Sequence, residues 1–285
     1  MSAEEELRLP DVRFVSIDSL VPHERHDEQR MQPLVRRIRE QAVLKNPPIV
    51  TPFPAEDGEP ERFVLLDGAN RAMAAREAGL PHMAVQVVRY EEPDVRLTTW
   101  VHALTDLPRP EFEAACGRIP DLACQSESLL HARARLARRE ALAYVVHDDG
   151  SVTAFHGGAD LHARNDLLHA LVDTYRARRR FYRMATDSIR TARERYPEVT
   201  ALVVFPHFEP AEVLEIAASG EFVPAGITRH LVRWRALRVN VPLDRLADTT
   251  QPLAEKNRWL AGWLREKFLD RQVRFYEEPT VLFDE

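Results

Sequence analysis

The stretch FVLLDGANRAMAAREAGLP, residues 63–81, constrains the fold more than any other part of the chain. An apolar run, Phe63 to Leu66, turns at Asp67-Gly68 into an alanine-rich helical pattern that stops at Gly79, with Pro81 beyond it. A strand therefore hands over directly to a helix. The first N–H groups of such a helix lack intrahelical partners and face the positive end of the macrodipole, a setting that suits an anion such as phosphate. A single glycine with no following Gly-Lys-Ser/Thr is not a P-loop. Three uses of DGANR stay open on this pattern: a nucleotide site, a DNA-phosphate site, or a capping acid with a solvated arginine.

The neighbouring segments place this element in an α/β unit. Residues 12–17 alternate as a strand, and 27–42 carry Met31, Leu34, Val35 and Ile38 at helical spacing. The prolines of NPPIVTPF mark an edge strand or its entry. HMAVQVVRY reads as a further strand, so the first 90 residues give β, α, β, β, α, β. Beyond them the pattern predicts helices near 110–117, 128–140, 161–194, 210–220 and 252–268. It also predicts a hairpin turning at Asp149-Gly150, and strands at ALVVFP, RALRVNVPL and RQVRFYEEPTVLF. No repeat or low-complexity linker interrupts the chain, so its parts are expected to pack together.

Composition excludes several classes. The 285 residues suffice for two modest domains or one extended one. A net charge of −6 offers no global attraction to nucleic acid or anionic membrane. Lysine occurs only at 45, 256 and 267, which we read as compositional bias rather than phosphate binding. Cys116 and Cys124 fit neither a paired metal-ligand motif nor a disulfide framework, so a reducing cytoplasm is expected. The acidic start MSAEEELRLPD lacks the apolar segment of a signal peptide, and no apolar run approaches the ~18 residues of a membrane span. The histidines form no HxxxH or HxH pair, so no dedicated transition-metal site is expected.

Four further segments carry candidate chemistry. In VPHERHDEQR, Glu24 stands just before a helix, where a carboxylate is ordinarily a cap. In a β-α-β-β-α-β unit, however, the loop before the first helix lies close to the loop before the second. Glu24 would then face Asp67–Arg71, as a general base beside a bound phosphate. Trp100, in TTWVHAL, reads as ordinary core when taken alone. VPAGITRH, residues 223–230, combines a freed backbone, a hydroxyl and an arginine fork, a set that can hold a small carboxylate; alone, it reads as a turn with a surface arginine. The run YRARRRFYR, residues 175–183, interleaves arginine with aromatics, but on a helix its arginines point several ways, as on a solvated face.

Together these segments resemble a known family. The first 90 residues are similar to ParB/sulfiredoxin-type domains, whose strand–DG–x–x–R–helix element is written here as Asp67-Gly68-Ala69-Asn70-Arg71. The whole chain resembles the free L-serine kinases of that superfamily, closest to the siderophore-cluster branch that makes O-phospho-L-serine for staphyloferrin B. The likeness rests on the His23-Glu24 loop, DGANR with the following AAREAGLPHMAVQVV, and Thr99-Trp100 with His102. It continues through VPAGITR, NVPL, NRWLAGWLREKF and YEEPTVLF.

The resemblance implies an α/β (α+β) fold. Residues 1–105 would form a ParB/Srx-like nucleotide- and phosphate-binding domain, and residues 106–285 a mixed α/β portion completing the serine site. It implies Glu24 as the base for the serine hydroxyl and Asp67 as a second catalytic carboxylate. Gly68, Ala69, Asn70 and Arg71 would lie at the nucleotide phosphates, Trp100 would wall the serine pocket, and His23, Thr228 and Arg229 would bind the substrate. ATP or ADP, with Mg²⁺ arriving on the nucleotide, would be the cofactors, and a homodimer stays open. The family commonly has histidine at Asn70 and often at Ala69; asparagine can donate a hydrogen bond to phosphate but cannot carry a proton. A ParB-like DNA-binding regulator is the alternative, set back by the absence of a helix-turn-helix signature and by the sign of the charge. Sulfiredoxin-type repair needs a cysteine beside the phosphate-binding arginine, and none stands there.

Overall fold

A computed structural model describes residues 9–25, 28–40, 42–53, 60–176, 181–276 and 278. The first sheet grows from short, apolar segments joined by tight connections. Strand β1 (Val12–Ser16) runs into a 3-10 turn and β2 (Leu20–Pro22), then α1 (Glu28–Glu40) and the short β3 (Val43–Leu44). Next come β4 (Ile49–Pro52), β5 (Phe63–Asp67), α2 (Ala69–Glu77) and β6 (His82–Val87). The sheet order is β1-β6-β4-β5-β2.

Of the two readings of NPPIVTPF, this order excludes the edge strand and keeps the strand entry, because β4 lies between β5 and β6. Its prolines fall at the entry and the last position, so residues 49–51 keep their N–H groups, and the Pro48 carbonyl accepts from Gln86 N–H at 2.8 Å.

After β6 the chain leaves this sheet. Strands β7 (Val95–Thr99) and β8 (Val101–Thr105) are separated only by Trp100. They are followed by α3 (Arg109–Cys116), β9 (Ala123–Glu127), α4 (Leu129–Ala137), β10 (Ala143–His147) and β11 (Val152–His156). The expected hairpin is β10–β11.

The expected helix over 161–194 is two helices with a strand between them: α5 (Leu161–Arg176), β12 (Phe181–Met184) and α6 (Ile189–Arg195). Tyr175 and Phe181 turn inward onto His102, so the ends of the basic run bury aromatics rather than display them. Its middle, residues 177–180, lies outside the described residues. Strand β13 (Val199–Val204) completes a second sheet ordered β12-β8-β13-β10-β11-β9.

The last part of the chain returns to the first sheet. Helix α7 (Pro210–Ala218) leads to β14 (Thr228–Val232), which pairs antiparallel with β7. The strand expected at RALRVNVPL shrinks to β15 (Val241–Pro242), paired with β3. Arg238 and Asn240 adopt left-handed backbone (φ 51° and 58°), which breaks a ladder. Helices α8 (Leu243–Ala247) and α9 (Leu253–Leu269) follow, and residues 272–276 are not a strand. The terminal PTVLF lies outside the described residues.

Val241, Leu246 and Leu260 are buried with Phe14, Leu65 and Met83 in the core of the first sheet, and Trp259 and Trp263 pack against it. Asn257 of α9 bonds both backbone groups of Phe14, accepting its N–H at 2.6 Å and donating to its carbonyl at 3.0 Å. A side chain thus stands in for a neighbouring strand on the free edge of β1. No helix among the described residues is long and apolar enough to cross a membrane.

Candidate active site

Strand β2 lies parallel to β5 with Pro22 opposite Leu65. Just beyond it, His23 Nδ1 donates to the Leu65 carbonyl, which sets the loop before α1 against the end of β5. The chain then pairs at Glu24 with Val223, 3.2 Å from Arg25 N–H to the Val223 carbonyl and 2.7 Å from Val223 N–H to the His23 carbonyl. Three distant segments (23–25, 66–71 and 223–230) therefore converge.

Glu24 is the hinge of this convergence. Its Oε2 accepts from Gly226 N–H at 3.0 Å, and its Oε1 accepts from Thr228 N–H at 2.9 Å and from the Thr228 hydroxyl. Oε1 has both lone pairs engaged by these donors, while Oε2 keeps one open. His23 is 3% exposed; its Nδ1 donates to the Leu65 carbonyl and its Nε2 meets Thr228 Oγ1 at 2.8 Å.

At the start of α2, Gly68 is left-handed (φ 85°) and no side chain caps the helix. Asp67 Oδ1 accepts the Gly68 N–H at 2.8 Å, and its other oxygen accepts from Arg235. Asp67 is thus a turn acid rather than a cap, which removes capping as the purpose of DGANR. Burial opposes ionisation of Asp67, but Arg235, Arg71 and the Gly68 N–H outweigh it and hold the carboxyl below its ordinary range. It is a carboxylate at neutral pH. Ala69, Asn70 and Arg71 form the first turn, half-buried.

On the other side, the Arg229 guanidinium lies over the Trp100 ring at 4.1 Å. Trp100 N–H bonds the Ile227 carbonyl at 2.7 Å, tying the β7–β8 junction to VPAGIT. Both residues line a groove of about 820 Å³ with Arg183, Arg195, Thr186 and Thr191. Gly226 is held from every side. His102 Nε2 donates to its carbonyl at 2.9 Å, and a Cβ on it would come within 2.5 Å of the Arg183 guanidinium. His102 Nδ1 accepts from the Tyr175 hydroxyl at 2.8 Å, and burial pushes this histidine down to about 3. His230, bonded to the Tyr90 hydroxyl at 2.8 Å, is pushed down to about 3 by burial and by His23 beside it.

His23, Glu24 and Thr228 meet directly, Trp100 stacks on Arg229, and Asp67, Gly68 and Arg71 cluster at the α2 start. Arg235, His230, Tyr90 and Arg183 were not singled out. His230 ends the motif VPAGITRH and was legible by adjacency; Arg235 and Tyr90 carry no local signal. The thiols stand apart, Cys116 in α3 and Cys124 in β9, and burial pushes Cys116 up to about 12. Among the described residues no group of three His, Cys, Asp or Glu could hold a metal ion.

This architecture is similar to that of a free serine kinase solved in complex with AMP, which superposes with a TM-score of 0.69 over 84% of this chain and 95% of its own, at 18% identity. The sequence relatives carry the same designation. The ATP-dependent L-serine kinase SbnI of Staphylococcus aureus is 24% identical over 278 residues, 96% of this chain and 97% of its own. An ATP-dependent L-serine kinase of Staphylothermus marinus is 32% identical over 91 residues, and that match spans about a third of its length (34%). No protein-family model matches the chain.

Proposed function

We propose that this protein is a free L-serine kinase that transfers the γ-phosphoryl group of ATP to the serine hydroxyl, giving O-phospho-L-serine and ADP. The observation that carries this reading is Glu24, held by Gly226 and Thr228 in the loop that follows β2, the neighbour of β5. ATP is favoured over ADP as donor because the curated relatives are named ATP-dependent.

In this reading the first-turn N–H groups of α2 and the Arg71 guanidinium receive the nucleotide phosphates, and Asn70 adds an amide donor. Arg229 takes the serine carboxylate against the Trp100 wall, with Thr228 between the two half-sites. The open lone pair of Glu24 Oε2 takes the serine hydroxyl proton as that oxygen bonds to phosphorus and the bond to the ADP oxygen breaks. Positioning and charge neutralisation supply most of the barrier reduction, as in other phosphoryl transfers. Magnesium commonly binds through one or two carboxylates plus phosphates, and the ionised, partly exposed Asp67 fits that mode. The ion would neutralise phosphate charge.

We also propose a nucleotide-binding unit built on the first sheet and a second unit completing the serine site, with residues 241–264 counted in the first by their packing. The product is an activated serine, suited to displacement chemistry in siderophore or other specialised amino-acid synthesis.

Phosphorus NMR of the protein with L-serine, Mg²⁺ and either ATP or ADP tests the reading. A phosphoserine signal with ATP, lost in Glu24→Gln, is expected. Folded protein that yields no phosphoserine with either nucleotide overturns it.

A further inference from the structure

The hydrogen bonds around Thr228 contain one more link than ordinary protonation states can fill. Leu65 contributes a carbonyl, which only accepts, so His23 Nδ1 carries a proton. His23 Nε2 and Glu24 Oε1 both lie against the single Thr228 hydroxyl. A neutral imidazole and a carboxylate would leave two acceptors competing for one hydroxyl proton. Both links are filled only when a second proton resides on His23 Nε2 or on Glu24 Oε1.

The surroundings favour the histidine end. Glu24 is 3.9 Å from His23 Nε2, and Oε1 already receives the Thr228 N–H, a donor suited to an ionised oxygen. The other ring packed on His23 is His230, edge-on at 5.2 Å. It bonds the Tyr90 hydroxyl and the Leu66 backbone, faces the Asp67 charge, and stays neutral by burial, so it adds no competing positive charge.

We propose that His23, Thr228 and Glu24 form one proton-sharing relay, in which His23 holds through the Thr228 hydroxyl the proton that would otherwise sit on Glu24. The balance is internal: as Thr228 passes its hydroxyl proton to His23 Nε2, it takes one from Glu24 Oε1, and the hydroxyl is restored. Glu24 is left ionised, with Oε2 open to the substrate hydroxyl. His23 is then a positioning residue acting through Thr228. This rests on the serine-kinase reading for its catalytic consequence, but not for the relay itself.

Two measurements test it. In ¹⁵N-histidine NMR of the full chain, with His23 assigned through His23→Gln, both ring nitrogens of His23 should be protonated at neutral pH, and Nε2 should lose its proton in Thr228→Val. A bare Nε2 in the unaltered protein overturns the relay whether or not the protein turns over serine. In kinetics, His23→Gln and Thr228→Val should each lower kcat on the order of tenfold, with the nucleotide KM little changed. The double variant should be no slower than either single one, and Thr228→Ser should restore the rate. Losses that multiply, or a Thr228→Ser variant as slow as Thr228→Val, overturn it. Absence of phosphoserine from every variant and from the parent instead overturns the kinase reading, and leaves the NMR result to decide the relay.

Discussion

The Glu24 carboxylate accepts the backbone N–H of Thr228 at 2.9 Å across 204 residues of sequence. One side chain therefore serves both as the candidate base and as the clasp between the first loop and VPAGITR. Chemistry and cohesion can be separated by the choice of substitution. Glu24→Gln should lower kcat by about 10²–10⁴ while keeping one acceptor oxygen for the clasp. Glu24→Ala should lose the same activity and in addition destabilise the fold by about 1–3 kcal/mol, because three donors lose their acceptor. Urea denaturation beside steady-state kinetics checks both, and nucleotide affinity measured by calorimetry should be nearly unchanged in Glu24→Gln.

Two glycines should report on two different ligands. Gly68→Ala forces a side chain into left-handed backbone and puts its Cβ 2.8 Å from Arg71 Nη2 and 3.0 Å from Pro48 Cβ. The expected result is a raised KM for ATP with the serine KM little changed. Gly226→Ala meets the Arg183 guanidinium on the serine side and should raise the KM for serine instead. Each should also cost about 1–2 kcal/mol of stability from the backbone alone. Equal effects on both KM values from either variant would remove the assignment of separate half-sites.

Arg229 and Trp100 should govern recognition of the amino acid more than turnover. Arg229→Gln is expected to raise the serine KM about tenfold or more, in line with loss of a charge-assisted pair of roughly 1.5–3 kcal/mol. L-threonine and L-homoserine should be poor substrates of the unaltered protein. Comparable kcat/KM for either would displace the pocket from the Trp100 wall.

Acid should weaken the fold before its carboxylates titrate. His102 and His230 are both pushed to about 3 from an ordinary value of 6.5. Unfolded, each binds a proton below pH 6.5; folded, neither does until near pH 3. Their contribution is therefore complete above pH 6.5 and declines as the pH falls toward 3. Urea unfolding between pH 6 and 4 should show stability falling by about 1–3 kcal/mol per pH unit from this pair, at most. His102→Gln should flatten part of that slope while lowering stability at pH 7.

Much of the site was legible because local rules and tertiary packing agree there. The Asp67-Gly68 switch needs only a strand, a left-handed glycine and a helix, and all three follow from neighbours in sequence. The approach of the His23 loop to the end of β5 followed from the compactness of a β-α-β-β-α-β unit. Long-range facts were hidden. Arg235 reaches Asp67 from a segment whose alternation reads as a strand, yet left-handed Arg238 and Asn240 interrupt it. Strand β12 was masked by helical periodicity on both sides, and what fixes it is its pairing with β8, of which residues 161–194 hold no trace. The prolines of NPPIVTPF left an edge strand or a strand entry open, and only the pairing of β4 with both β5 and β6 decides for the entry.

The return of α9 to the first sheet has a consequence for how the protein is made. The opening strands leave the ribosome early, but the edge of β1 waits for Asn257 and the core beneath it waits for Leu260. Until those residues emerge, a nascent chain can shape the α2 turn, yet part of the apolar face of its first sheet stays uncovered. The first core begun is among the last to be closed, so synthesis exposes a sticky intermediate for most of its duration. The time for which that face stays bare is set by translation, not by any local feature of the sheet.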